Sequence, residues 1–156
     1  MNSFSEIDGK KYPQSVAFSR YLARQFNLTG KDDLEATKCD IIVDTIQEIS
    51  EAYYTAKFFI KDEKLKAEAE EKFAKETLPA KLAGLQKLMN DYGDGTWAVG
   101  NQVSWADFWL YDALQSFLTV DSEILKKYTT LNNNRSAVET LPNIAEYLEN
   151  REQTPF

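Results

Sequence analysis

The sequence predicts a mainly α-helical protein, in which a bundle of five or six helices follows a short β-hairpin and one further helix. Apolar residues recur every three or four positions through most of the chain after residue 12, which is the period of an amphipathic helix. Segment 104–118 is apolar on nearly every side, as expected of a helix at the centre of a core. The turn pair Asp8-Gly9 separates two short segments that are typical of hairpin strands.

Composition and charge exclude several classes of function. The 156 residues include 18 Lys and Arg against 25 Asp and Glu, so the chain lacks the clustered cations that nucleic acid or an anionic membrane surface requires. It has no histidine and one cysteine, Cys39, which excludes Ser-His and Cys-His nucleophile pairs, histidine-ligated metals and internal disulfides. There is no export signal and no apolar run near the roughly 20 residues of a membrane span. We therefore expect a cytoplasmic protein without a metal, nucleic-acid or membrane partner.

The first elements are a hairpin, with strands at 4–7 and 10–12, and a helix that begins after Pro13. Ser15 is the predicted N-cap of this helix, because a serine side chain accepts a hydrogen bond from the N–H groups that a helix start leaves unpaired. The apolar stripe of the helix recurs every four residues at Phe18, Leu22 and Phe26. Segment 27–30 ends the helix.

A long second helix follows. Asp32 and Asp33 place negative charge at its N-terminus, where the helix dipole favours it. The helix reaches as far as Phe59, which gives it a length of about 26 residues and roughly 39 Å. Its apolar face consists of Ile42, Val43, Ile46, Ile49 and Tyr53. Segment 61–66 is a charged connector or a helix start, and both interpretations stay open.

The remaining helices are shorter. A stripe with 4-3-4 spacing predicts one helix from Leu78, Leu82, Leu85 and Met89. Pro79 falls inside it and predicts a kink or a restart, and segment 92–95 ends it. Two further helices are expected at 121–131 and 142–150, with a loop at 132–134.

The central apolar helix begins at a capping box. Ser104 and Asp107 have the S-x-x-D spacing at which each side chain can satisfy a backbone N–H at the helix start. Val103 and Phe108 occupy the two positions of a hydrophobic staple. These residues are therefore interpreted as structural and not as part of the chemistry.

The segment from Gly100 to Phe108, G-N-Q-V-S-W-A-D-F, resembles the start of the corresponding helix in the C-terminal domain of cytosolic glutathione transferases. Three other segments resemble the same family in the same order: Glu6–Gly9 with Pro13–Ser15 and Arg20–Ala23, then Asp40–Ile46, then Arg151–Phe156. The last two are most similar to the sigma-like class, which includes the glutathione-dependent prostaglandin D synthases. The resemblance implies a remnant of a thioredoxin-like domain at 1–28 and an all-helical domain at 31–156.

By this resemblance, the substrates are glutathione and small hydrophobic electrophiles, and the reaction is conjugation or glutathione-dependent isomerisation, as in detoxification. The resemblance also implies a homodimer, or pairing with a full-length relative. The family's thiol-activating tyrosine lies on a strand-helix-strand portion of the thioredoxin-like domain that has no match here. We therefore assign no catalytic residue and expect a chain truncated at the N-terminus.

The resemblance assigns glutathione contacts to three residues. Gln14 and Ser15, at a helix N-terminus, would bind the γ-glutamyl group, while the alternative is a turn residue beside an N-cap. Asp40 would reach across a dimer to the glutathione amino group. Asp40 and Asp44 are also an i, i+4 pair of like charges, and a nearby cation would relieve their repulsion. The alternative interpretation of the pair is an acidic helix face in solvent.

Tyr53 and Tyr54 correspond to the family's site for apolar electrophiles, although aromatic residues at helical spacing also form cores. Cys39 is expected to be a buried small hydrophobic residue. Three functions remain open: a transferase completed by a tyrosine-bearing segment, a non-catalytic structural or interaction module with the same helical fold, and a partial isoform of a full enzyme.

Overall fold

The computed structural model describes residues 5–152. The fold is mainly α-helical, with one two-stranded sheet in this range. The elements are β1 (Ser5–Ile7), β2 (Lys10–Tyr12), α1 (Ser15–Gln25), α2 (Asp33–Tyr54), α3 (Glu63–Lys72), α4 (Leu78–Tyr92), α5 (Trp105–Leu118), α6 (Thr129–Glu139) and α7 (Pro142–Asn150). Two π-helical turns, Thr55–Phe59 and Phe73–Thr77, continue α2 and α3, and a 3-10 turn, Ile124–Lys127, precedes α6.

The hairpin is antiparallel, with Ser5 opposite Tyr12. Asp8 and Gly9 have φ angles of 50° and 75°, and positive φ at both turn positions matches the right-handed twist of the strands. This confirms the predicted turn, while residue 4 of the predicted first strand lies outside the described residues. Two strands alone are marginal in water, so the hairpin depends on its packing beside α1.

The prediction of Ser15 as an N-cap is wrong by one position. Ser15 is already helical, and Gln14 precedes the helix with φ 72° and ψ 84°. The Phe18 N–H donates to the Gln14 carbonyl at 3.1 Å, which is the first bond of the helix. The left-handed backbone at Gln14 turns the chain sharply after Pro13 and starts the helix one residue early.

The long second helix is confirmed. Asp32 caps α2, because its Oδ1 accepts the Glu35 N–H at 2.9 Å. With its π-helical turn the helix runs to Phe59, and it packs most extensively on α5. Within segment 61–66, Asp62 caps α3 and accepts the N–H of Lys64 and Leu65 at 3.0 Å each, so this segment is a helix start.

The chain restarts at Leu78, after the second π-helical turn, so Pro79 lies in the first turn of α4, where its missing N–H removes no helical bond. The largest fully buried side chains form one core and come from α2, α4, α5 and α6: Phe117, Ile42, Ile46, Ile49, Leu78, Leu82, Leu85, Met89, Leu110, Leu114, Leu131 and Val43. No helix in the range 5–152 has the length and apolar character to cross a membrane.

The predicted loop at Asn132–Asn134 is wrong, and so is the predicted single helix at 121–131. Residues 124–127 form a 3-10 turn, and α6 starts only at Thr129 and runs through all three asparagines. Asn134 is fully buried, and its Nδ2 donates to Asp107 Oδ1 at 2.6 Å and to the Thr96 carbonyl at 2.8 Å. These tertiary hydrogen bonds outweigh the low helix propensity of asparagine.

Hydrogen bonds and close contacts hold the segment between α1 and α2 against the bundle. The Trp105 N–H at the start of α5 donates to the Leu28 carbonyl at 2.9 Å. The Glu35 carboxylate accepts the Lys31 N–H at 2.9 Å and lies against Gly30 and Gly100, where an added Cβ would come within about 3.1 Å of its oxygens or closer. The segment that follows α1 is thus joined to the bundle by a hydrogen bond as well as by the chain.

Candidate functional site

The residues expected to hold the γ-glutamyl group lie together at the N-terminus of α1. Gln14 and Ser15 are both exposed, and the Gln14 side chain makes no capping hydrogen bond. Gln14 occupies the left-handed region, a strain of roughly 1–3 kcal/mol for a non-glycine residue. The first N–H groups of a helix lack intrahelical partners and carry partial positive charge, so this end can accept a carboxylate.

Asp40 lies on α2 and pairs with α1 of its own chain. Arg20 Nε donates to Asp40 Oδ1 at 2.8 Å, and Arg20 Nη2 lies 3.9 Å from Asp44 Oδ1. Arg20 is therefore the cation that relieves the repulsion between the two carboxylates. Its guanidinium also lies 5.5 Å from the ring centroid of Trp105, a cation–π contact that ties α1, α2 and α5 together.

Within one chain, the structure does not bring Asp40 to the N-terminus of α1 as a hydrogen-bonding partner. Its partner is Arg20, which follows Ser15 by about one and a half helical turns. The Asp40 side chain remains 37% exposed, so it is open to a second molecule.

Tyr53 and Tyr54 contact each other edge to face, with ring centroids 5.4 Å apart, but they occupy different environments. Tyr53 is 8% exposed and packs against Phe73 and Phe117. Tyr54 is 45% exposed and lies beside Phe58, which is 51% exposed. Of this aromatic cluster, therefore, Tyr54 and Phe58 present a surface to solvent.

The side chain of Asp107 organises the start of α5. Its Oδ2 accepts the Ser104 N–H at 2.6 Å and the Ser104 hydroxyl at 2.9 Å. Its Oδ1 accepts the Ala98 N–H at 2.8 Å and the Asn134 amide. Burial raises the pKa of Asp107, while these hydrogen bonds oppose the rise. Both carboxylate oxygens are thus engaged within the protein, which confirms the predicted capping box.

Sequence reasoning missed the roles of Asn134 and Arg20. Asn134 had a detectable signal, because it falls between the buried Leu131 and Val138 at helical spacing. Arg20 had none beyond its charge, since nothing local links it to a carboxylate 20 residues later.

Cys39 is fully buried, and its pKa is raised to about 11. Burial is the main cause of the rise, and the interaction of the thiol with the Ser104 side chain partly opposes it. The thiolate is the reactive form, so this side chain is not a nucleophile near neutral pH.

Two apolar clefts flank α1. One, of about 370 Å³, lies between α1 and α5 and is lined by Leu22, Phe26 and Trp109 among others. The other, of about 390 Å³, lies between the hairpin and α1 beside Tyr12 and Tyr21. Phe26 is 68% exposed, so α1 carries an uncovered apolar face.

The comparisons with known proteins agree with one another. Residues 44–151 match the family described as glutathione S-transferase, C-terminal domain. The hematopoietic prostaglandin D synthase of Gallus gallus is 34% identical over 149 residues, which are 96% of this chain and 72% of the relative. S-crystallin SL11 of Nototodarus sloanii is 33% identical over 153 residues, 97% of this chain and 74% of the relative.

The solved structure of rat hPGDS complexed with a quinoline superposes with a TM-score of 0.87 at 27% identity. The superposition covers 98% of this chain and 74% of the rat chain. The residues of α1 and the hairpin therefore have structural counterparts there, as well as those of the bundle. From the matched family and these relatives, the chain belongs to the glutathione S-transferases, among the sigma-class proteins related to prostaglandin D synthase and S-crystallin.

Proposed function

We propose that this chain binds glutathione through its γ-glutamyl end, at the N-terminus of α1, and acts within a cytoplasmic glutathione transferase on small hydrophobic electrophiles. The observation that carries the proposal is the conformation of Gln14. Its backbone is left-handed, its side chain makes no capping bond, and it immediately precedes an exposed helix start. Strained, unpaired polar residues of this kind cluster at ligand sites.

The charges fit a γ-glutamyl group, which carries one carboxylate and one ammonium. The helix N-terminus at Ser15 suits the carboxylate. Asp40 of a second copy would meet the ammonium in a homodimer, and Arg20 fixes the orientation of the Asp40 carboxylate through the 2.8 Å bond. The proposed division, 1–28 for glutathione and 31–156 for the helical domain, follows the same assignment.

The electrophile is proposed to contact the aromatic surface of Tyr54 and Phe58. Tyr53 supports this surface from below, through its edge-to-face contacts with both rings. Aromatic faces with exposed area next to a polar group are typical of sites for apolar ligands.

Activation of the glutathione thiol is proposed to come from outside the residues assigned here. A tyrosine-bearing segment, from a longer form or from a full-length relative, would cover the exposed apolar face of α1 that Phe26 marks. General-acid or hydrogen-bond stabilisation of the thiolate is worth about 10²–10⁴ in rate, so binding without that group gives little turnover.

Calorimetric titration of the purified chain tests the proposal. Glutathione and γ-glutamylcysteine should bind saturably, whereas cysteinylglycine, which lacks the γ-glutamyl group, should not. Gln14→Ala should weaken binding by about tenfold, in line with the loss of one or two polar contacts. Gln25→Ala, at the exposed far end of the same helix, is the matched control and should bind like the parent chain. A folded chain that binds none of the three ligands refutes the proposal.

A second function, a non-catalytic structural module, is favoured by the 33% identity to an S-crystallin. The same titration separates the two functions. A structural module would show no glutathione binding while keeping a cooperative thermal transition, and pairing through the exposed face of α1 would show as a dimer in sedimentation.

A further inference from the structure

A cavity of about 230 Å³ lies beside the two π-helical turns of the bundle. None of the residues that line it is on α1, and Asp40, Tyr54 and Phe58 do not contribute to it. Tyr53 lines this cavity and also supports the aromatic surface proposed for the electrophile, but no residue proposed for glutathione lines it, so a ligand could bind there without glutathione.

Small side chains from both π-helical turns line this cavity. Ala56 belongs to the first π-helical turn and Ala74 to the second, and each contributes one methyl group to the wall. π-Helical turns are rare and are frequently found at functional sites. Two of them lining the same cavity mark it as more than a packing gap.

One residue that lines the cavity, Tyr53, has a weakly satisfied hydroxyl. Tyr53 is 8% exposed, and its hydroxyl lies 3.4 Å from Thr119 Oγ1, well beyond the roughly 2.7–2.8 Å of a good O–H···O bond. The Thr119 hydroxyl itself donates to the Ser116 carbonyl at 2.6 Å. Tyr53 is thus left as the donor in the weak contact, and an oxygen atom inside the cavity would give it a better acceptor.

The two charged residues that line the cavity have opposite charges and pair with each other. Lys57 Nζ lies 3.7 Å from Glu70 Oε1, and these side chains are 48% and 39% exposed. An anionic ligand would have to compete with Glu70 for Lys57, and a cationic ligand with Lys57 for Glu70. Phe73 and Val120 add apolar walls. The balance of charge and the aromatic wall favour a neutral aromatic ligand.

We propose that this cavity binds small neutral aromatic compounds of one or two rings with a single hydroxyl or carbonyl oxygen. The ring packs against Phe73, and the ligand oxygen accepts a hydrogen bond from Tyr53. The size agrees, because a closed apolar cavity of about 150 Å³ holds one benzene ring and this one, which is open to solvent and partly polar, is about half as large again.

The test is a titration of the ¹⁵N-labelled chain with 4-methylphenol, followed by the amide resonances. Saturable shifts should centre on Ala56, Phe73, Ala74 and Val120, with a Kd of about 0.1–1 mM, as expected for a ligand of about eight heavy atoms. p-Xylene, which has the same shape without the oxygen, should bind more weakly, and 4-methylbenzoate, which is charged, more weakly still.

Two variants locate the site. Ala74→Leu fills the cavity and should abolish the shifts, whereas Ala67→Leu, on the exposed side of α3, should leave the Kd unchanged. Tyr53→Phe should weaken 4-methylphenol by about three- to tenfold and leave p-xylene unaffected, since only the hydroxyl is lost. The comparison of the two ligands in Tyr53→Phe tests the site even if Ala74→Leu fails to fold.

Three results would overturn the proposal: shifts centred away from these residues, full binding by Ala74→Leu, or a Tyr53→Phe chain that treats both ligands as the parent does. Absence of saturable shifts up to about 10 mM ligand, roughly tenfold above the expected Kd, would overturn it as well.

Discussion

Replacing Asn134 by alanine tests the most consequential contact that the sequence alone did not reveal. The substitution removes an amide that donates to the Asp107 carboxylate at 2.6 Å in a buried bond and to the Thr96 carbonyl at 2.8 Å in a partly buried one. A bond to a charged acceptor contributes about 1.5–3 kcal/mol and one to a neutral carbonyl about 0.5–1.5 kcal/mol. Alanine returns roughly 0.5 kcal/mol through its higher helix propensity. The free energy of unfolding should therefore fall by about 1.5–4 kcal/mol.

The assay is urea unfolding followed by the far-ultraviolet circular dichroism of the helices, in which the midpoint should fall while the slope m is unchanged. Asn132→Ala is the matched control, because Asn132 is exposed on the same helix and differs from Asn134 mainly in burial. The control should keep or slightly raise the midpoint. Equal midpoints for the two variants would refute the reasoning, since propensity would then decide the stability of α6 and not the buried bonds.

Three further predictions concern glycines, pH and the thiol. Gly84 lies in mid-helix, where an added Cβ meets nothing within 4 Å, so Gly84→Ala should raise the unfolding free energy by about 0.5–1 kcal/mol. At Gly93 an added Cβ would overlap the Trp97 carbonyl oxygen, so Gly93→Ala should lower the unfolding free energy by more than about 2 kcal/mol in the same urea assay. The N–H groups of Trp97 and Thr96 lower the pKa of Asp94, so its contribution to stability is present above the unfolded pKa near 3.8 and is lost as pH falls through the folded value. A plot of Tm against pH should accordingly lose part of its acid slope in Asp94→Asn, and an unchanged slope would contradict the assignment. Cys39, with a pKa of about 11, should react with a disulfide reagent at neutral pH only when urea unfolds the chain, and rapid labelling of the native protein would contradict its burial.

Most of the fold could be predicted because its elements are amphipathic and their ends carry recognisable side chains. The stripe Leu78, Leu82, Leu85 and Met89 is buried throughout, and Asp32 caps α2 as its charge suggests. These signals are local, so a single sequence contains them. Family resemblance then supplied the expectation of a thioredoxin-like remnant followed by an all-helical domain.

The errors occurred where tertiary contacts or backbone conformation decide. Three consecutive asparagines have the composition of a loop, yet the bonds of Asn134 to distant partners make the segment helical. The π-helical turns could not be predicted, since residues 55–59 and 73–77 are too short for a change of helical period to show in the apolar pattern. The left-handed backbone at Gln14 likewise has no signature in its side chain.

In the candidate site, too, the features set by local sequence could be predicted and those set by packing could not. The positions of Gln14 and Ser15 at a helix start follow from Pro13 and the apolar stripe after it. The environments of Tyr53 and Tyr54 do not, because adjacent residues on a helix point about 100° apart and only packing shows which one is buried. Their proposed roles in substrate binding stay predictions.

The hydrogen bond from Trp105 to the Leu28 carbonyl has a consequence for how the protein can be cut and recombined. A fragment taken from residue 31 onward would follow the apparent border between the two parts of the chain, but it would strip an acceptor from the first turn of the central helix. We therefore expect residues 1–28 and 31–156 to unfold together. A fusion of this helical module to a different domain should therefore be joined before the hairpin, so that it keeps the hydrogen bond between Trp105 and the Leu28 carbonyl.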